Sequence, residues 1–146
     1  MSLEANKAIV RRFIEAYNKH NLDSIYEFMA PDYFDHTHQV DREGSKQLFT
    51  MGFKAFPDWH ETIEDMIAEG DKVWARLSYT GTHKGEWRGL APTGNKITAM
   101  VVDIYRINDG KLVEYWNVSD SLDLLKQIGV IEYTEKGKKL FPEDVK

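Results

Sequence analysis

A chain of 146 residues fits one domain of ordinary size, and its lack of cysteine rules out thiolate nucleophiles, disulfide frameworks and cysteine zinc sites. Nineteen Lys and Arg against 24 Asp and Glu give a net charge of -5, the wrong sign for an affinity built on nucleic-acid phosphates. Charged side chains interrupt the apolar positions of residues 1–19, which leaves neither a signal peptide nor a membrane span there. A cytoplasmic protein with no nucleic-acid or membrane partner is the expectation, and its 12% aromatic content is the unusual feature.

Ile9, Val10, Phe13, Ile14 and Tyr17 recur at spacings of three and four, which predicts an amphipathic helix over Glu4–Lys19, stopped near Asn21. Asp23 suits the N-cap of a short second helix carrying Ile25, Phe28 and Met29 and closed by Pro31. Asp32–Val40 reads as irregular or extended. Leu48, Phe49 and Phe53 then predict a third helix over Glu43–Phe56, ended by Pro57. From Trp59 the character is β. Strands Ile63–Ala68 and Val73–Thr80 flank the turn Glu69-Gly70-Asp71, another strand is expected through His83–Gly89, and Ile97–Ile107 and Lys111–Ser119 flank Asn108-Asp109-Gly110. Ser121–Ile128 predicts a helix ended by Gly129, and a Lys- and Glu-rich tail follows. Helices first and an antiparallel meander afterwards make an α+β protein, with one domain over 1–130 and a tail over 131–146.

The segments Ala30-Pro31-Asp32-Tyr33-Phe34-Asp35-His36, Phe56-Pro57-Asp58-Trp59, Gly81-Thr82-His83, Ala91-Pro92-Thr93-Gly94 and Asp103-Ile104-Tyr105-Arg106 through Glu114-Tyr115-Trp116 to Asp120 resemble, in order, the SnoaL-like polyketide cyclase (ester cyclase) family of the nuclear-transport-factor-2-like superfamily. The resemblance implies a cone, a cystatin-like α+β barrel in which a curved antiparallel sheet wraps around the N-terminal helices and encloses a deep pocket. It also implies a homodimer formed through the outer sheet face, and intramolecular aldol ring closure with an aspartate as acid/base and no metal or cofactor. By position that aspartate resembles Asp120.

Ring closure needs a base for a proton alpha to a carbonyl, donors for the enolate, and an apolar cavity. Asp120 lies between the last strand and the last helix, where it either faces a cavity or caps Ser121–Ile128. Asp103 sits in the apolar run Val101–Tyr105, where a carboxylate is costly unless paired, either as a functional group or in an ion pair with Arg76, Arg88 or Arg106. The turn decides its neighbours. A two-residue loop at Asp109-Gly110 sets Asp103 opposite Trp116, with Val118 and Asp120 on the same face; a three-residue loop with a glycine bulge brings Tyr115 and Asn117 there instead. His36 and His83 are candidates for polarising a carbonyl or orienting Asp120.

Trp59, Trp74, Trp116, Tyr115, Asn117 and Arg88 are candidate substrate contacts, suited to a flat, oxygenated, mostly apolar carbonyl compound. A rival reading is a divalent-metal site, because His36-Thr37-His38 followed by Glu43 matches the His-x-His-x4-Glu spacing of cupin barrels. The preferred expectation is a cofactor-free cyclase or isomerase working by proton transfer, with no metal. A non-catalytic small-molecule-binding domain of the same fold is the alternative, favoured if Asp120 turns outward as a cap.

Overall fold

The computed structural model describes residues 2–142. Three N-terminal helices and two short strands precede a β meander. These are α1 (Leu3–Asn18), α2 (Leu22–Glu27), β1 (Met29–Asp35), β2 (Val40–Asp41) and α3 (Arg42–Ala55). The meander comprises β3 (His60–Glu69), β4 (Lys72–Thr82), β5 (Lys96–Asn108) and β6 (Lys111–Ser119), followed by α4 (Ser121–Ile128) and α5 (Glu135–Leu140). The six strands form one curved, unclosed sheet in the order β2-β1-β6-β5-β4-β3. Every neighbouring pair is antiparallel except β1 and β6, which run parallel, so the sheet is mixed. Among the described residues no helix is long and apolar enough to cross a membrane.

Local sequence accounts for most of the boundaries. Ser2, Asn21, Asp41 and Asp120 accept from backbone N–H groups at the starts of α1, α2, α3 and α4, which satisfies donors that a helix leaves orphaned. Asn21 therefore caps the second helix, in place of Asp23. Pro31 lies inside β1, at a register irregularity between Met29 and Phe34, where its missing N–H costs no ladder bond. The strand expected through His83–Gly89 is a loop carrying only an isolated bridge between Trp87 and Leu90. Lys84 and Gly85 both donate to Ala55 O there, and a Cβ at Gly85 would stand 2.0 Å from Lys54 O, so the chain folds over the end of α3. The Lys-rich tail contains α5, where Tyr133 stacks on Phe141.

One face of the sheet packs on the helices. Val73, Ala75, Leu77 and Tyr79 of β4 and Ile97, Val101, Asp103, Tyr105 and Ile107 of β5 are buried there against Ile9, Val10, Phe13 and Ile14 of α1. Their alternation with exposed or half-buried neighbours is the two-residue period of a strand packed on one face. The opposite face presents a cross-strand row of Ile67, Trp74, Ile104 and Trp116.

The turn between β5 and β6 combines the two expected geometries. Asn108 pairs with Lys111 across a two-residue loop in which Asp109 and Gly110 have φ of 49° and 74°, as a tight hairpin turn of this hand demands. A bulge then shifts the register between Arg106 and Ile107. Beyond it Asp103 pairs with Asn117 and Tyr105 with Tyr115, so Tyr115 and Asn117 share the inner face and Trp116 and Val118 point outward.

Candidate active site

Between the inner face of the sheet and α1 and α3 lies a cavity of about 230 Å³. Buried Phe13, Tyr33, Asp103 and Tyr105 line its deeper part, Tyr17, Phe49, Glu61 and Tyr115 its walls, and exposed His38, Met51 and Arg88 its mouth. The interior is aromatic and apolar, with carboxyl groups set into it at few positions. That composition suits a flat organic ligand held by a small number of polar contacts.

Asp103 is the most elaborately held of these groups. Tyr115 Oη and Asn117 Nδ2 donate to its Oδ1 at 2.8 and 3.1 Å, and Tyr105 Oη donates to Oδ2 at 3.0 Å. Burial pushes the Asp103 carboxyl above its ordinary range, and the three donors oppose that shift by favouring the charged form. Burial likewise raises Tyr17, Tyr33, Tyr105 and Tyr115 well above the usual phenol value, with the nearby Asp103 charge adding to it. These four hydroxyls remain protonated donors throughout the neutral range.

Glu61 faces the same cavity from β3, where Trp59 Nε1–H donates to its Oε1 at 3.1 Å. Desolvation, reinforced by repulsion from Asp103, raises its carboxyl to about 8. Two carboxyl groups that disfavour each other's ionisation hold fewer than two charges between them at neutral pH. Three donors converge on Asp103 and one on Glu61 among the described residues, so hydrogen bonding supports the charged form more at Asp103, while burial still leaves its carboxyl above the ordinary range.

At the mouth, Asp35 is buried and His38 half-open to solvent. His38 Nδ1 lies 2.7 Å from Asp35 Oδ2, while the backbone N–H groups of Thr37 and His38 donate to Asp35 Oδ1. Arg88 lies over the Trp87 ring with a φ of 51°.

The structure gathers Asp103, Tyr115 and Asn117 in one hydrogen-bonded cluster and sets Arg88 on the same cavity. The ion pair considered for Asp103 is replaced by neutral donors. Trp59, a candidate substrate contact, is not among the residues lining the cavity; it donates to Glu61 and stacks on Tyr79. Other candidates lie elsewhere. Asp120 is exposed and accepts from Asp123 N at 3.0 Å as the cap of α4, because the chain leaves the sheet one residue earlier. His36 points to the outer face, stacked on Trp116 and 2.7 Å from Glu114 Oε2. Trp116 and Trp74 are on that face too, Trp74 with 47% exposure. His83 is fully buried beside Phe56, its Nδ1 accepting from Thr93 N at 3.2 Å, and pins the 83–95 loop from behind the cavity wall.

The residues of the cupin-like spacing disperse. His36 pairs with Glu114, His38 with Asp35, and Glu43 accepts from Tyr26 Oη, so the three side chains share no centre. Among the described residues no group of three His, Asp or Glu side chains is arranged to hold a metal ion. Glu61 was not foreseen because the sequence places the strand start at Ile63, and the extension to His60 is what gives Glu61 an inward face. His38, a candidate metal ligand in the sequence, instead pairs with Asp35 at the cavity mouth, a contact made by the turn after β1 that no spacing within residues 32–40 announces.

Comparison with known proteins agrees with this architecture. The model of the SnoaL-like polyketide cyclases matches residues 7–128. The aklanonic acid methyl ester cyclase AcmA of Streptomyces galilaeus is 30% identical over 128 residues, covering 84% of this chain and 89% of that protein. The nogalonic acid methyl ester cyclase of Streptomyces nogalater is 28% identical over 122 residues, covering 80% and 91%. Among solved structures, AclR of S. galilaeus, described as a candidate hydroxylase, superposes with a TM-score of 0.83 at 32% identity, over 90% of this chain and all of that one. IdmH of Streptomyces antibioticus, described as a candidate polyketide cyclase, gives 0.74 at 31% identity over 86% and 99%. A match across most of the chain, on an open α+β sheet with an aromatic cavity, makes this protein a member of the SnoaL-like polyketide cyclase family.

Proposed function

We propose that the protein closes a ring in a hydrophobic polycarbonyl compound by intramolecular aldol addition, with Asp103 as the base and no cofactor. The observation that carries this reading is Asp103, clamped by three donors, lining one apolar cavity with Glu61, whose carboxyl burial raises to about 8. Among the described residues Asp103 Oδ2 accepts one donor, Tyr105 Oη, and keeps a lone pair for the substrate. It takes a proton alpha to a carbonyl; the C–H electron pair moves into an enolate, whose oxygen is stabilised by the Glu61 O–H. The enolate carbon attacks a second carbonyl, a C–C bond forms, and the new alkoxide takes up a proton while Asp103 gives up the one it removed. Atoms balance as an isomerisation. Two carboxyls held in different protonation states by their surroundings supply an acid and a base at one pH.

The test is incubation with aklanonic acid methyl ester, followed by chromatography with mass detection for a product of unchanged mass and altered retention. Removing a general base costs about 10²–10⁴-fold, which is the loss expected for Asp103→Asn. Ring closure at the wild-type rate by that variant overturns the assignment. The outward Asp120 cap favours the second reading, a non-catalytic binding domain, for which the ester would bind and return unchanged.

The row Ile67, Trp74, Ile104 and Trp116 on the outer face supports a homodimer formed there by two copies of this sheet. Ile67 is 63% and Trp74 47% exposed in the single chain, an apolar surface that a second copy would cover.

A further inference from the structure

We propose that His38, oriented by Asp35, is a second acid/base of this site, and that its Nε2 delivers the proton to the alkoxide formed at the outward carbonyl. The inference rests on the ring-closure reading and names the group that completes it. In that reading Asp103 removes a proton at the deep end of the cavity, and the electrophilic carbonyl, one ring's width away, becomes an alkoxide that needs a donor of its own.

Asp35 is placed to set up such a donor. Its Oδ1 accepts the N–H groups of Thr37 at 2.9 Å and His38 at 3.0 Å, which closes the turn that follows β1. The turn requires nothing of Oδ2, and that oxygen is given to His38 Nδ1 at 2.7 Å. Asp35 itself is 4% exposed, while His38 lines the cavity mouth with its side chain 44% exposed. A buried carboxylate on Nδ1 fixes that nitrogen as the N–H donor and leaves Nε2 to exchange protons, the division of labour by which a carboxylate orients a catalytic imidazole. His36, two residues earlier, is spent on Glu114 and Trp116 outside the cavity, so the two histidines are not interchangeable.

The step balances. Imidazolium Nε2–H gives its proton to the alkoxide, leaving neutral imidazole with Nδ1–H on Asp35. Exposed to water at the mouth, His38 is reprotonated from solvent, and Asp103 releases its proton to solvent by the same opening. Asp35 is a positioning residue, acting only through His38.

Two measurements test the proposal. Long-range 1H–15N spectra of the uniformly 15N-labelled protein are expected to show neutral His38 as the Nδ1–H tautomer, and Asp35→Asn is expected to change that tautomer balance. A neutral His38 protonated on Nε2 in the wild type overturns the proposal without reference to any substrate. With aklanonic acid methyl ester, His38→Ala is expected to lose about 10²–10⁴-fold in kcat with KM within roughly threefold, and to regain activity when imidazole is added to the solvent. Loss without imidazole rescue, or no loss, overturns the catalytic role. Asp103→Asn is expected to lose activity with no imidazole rescue. Rescue of His38→Ala alongside an active Asp103→Asn would sink the Asp103 reading and keep this one. If the wild type leaves the ester unchanged, ring closure fails on that compound and the tautomer decides the dyad.

Discussion

Tyr115 Oη stands 2.8 Å from Asp103 Oδ1, although in the ladder Tyr115 pairs with Tyr105 and Asp103 with Asn117. The contact is diagonal across β5 and β6, within reach of a long aromatic side chain. A hydrogen bond to a charged group contributes about 1.5–3 kcal/mol. Tyr115→Phe is therefore expected to raise the Asp103 carboxyl further and to lower kcat/KM roughly 10–100-fold, since about 1.4 kcal/mol is tenfold. Carboxyl 13C titration and steady-state rates check both, and an unchanged titration would remove Tyr115 from the machinery.

Glu61 makes stability fall as pH rises. Its carboxyl moves from 4.5 to about 8 on folding, so the native state keeps a proton that the unfolded chain releases near 4.5. The stabilisation is fully present below 4.5 and is lost progressively up to about 8. Urea midpoints across that window should decline for the wild type and decline less for Glu61→Gln, in which the raised Asp103 carboxyl still contributes. Ring closure should also fail as pH passes about 8, where Glu61 ceases to be an acid.

Asp120→Ala should cost about 0.5–2 kcal/mol as the loss of a helix cap and leave kcat/KM unchanged. Thermal melts and rates on the same preparation separate the two effects. A large rate loss at unaltered stability would return Asp120 to the active site.

Trp74→Glu places a charge in the middle of the outer apolar row. Light scattering behind size exclusion is expected to find dimer for the wild type and monomer for the variant, with melting of the monomer still cooperative. A monomeric wild type would leave that row without the proposed second copy.

Periodicity made the helices and the meander legible, because each element buries one face and its sequence carries the period of that burial. Leu3–Asn18, Arg42–Ala55, Lys111–Ser119 and Ser121–Ile128 lie within a residue or so of where the pattern puts them. The misplaced strand at His83–Gly89 alternates like a strand, yet its backbone donors go to the end of α3. The site was half legible. Asp103 stood out as a carboxylate in an apolar run, whereas Glu61 and His38 gave no local sign of facing inward.

The chain's lack of cysteine removes thiol chemistry and leaves carboxyl, imidazole and phenol among the groups that can move protons in an aromatic-rich setting, and that much belongs to the sequence alone. Which of those groups meet was decided by tertiary structure. The bulge beside Ile107 moves β6 by one residue, and with a side-chain period of two that step sends Tyr115 and Asn117 to Asp103 and Trp116 to the outside. Asp120, which looked catalytic by position, falls just beyond the sheet and becomes a cap. Register and curvature are set by contacts between distant strands, and no local pattern of residues encodes them.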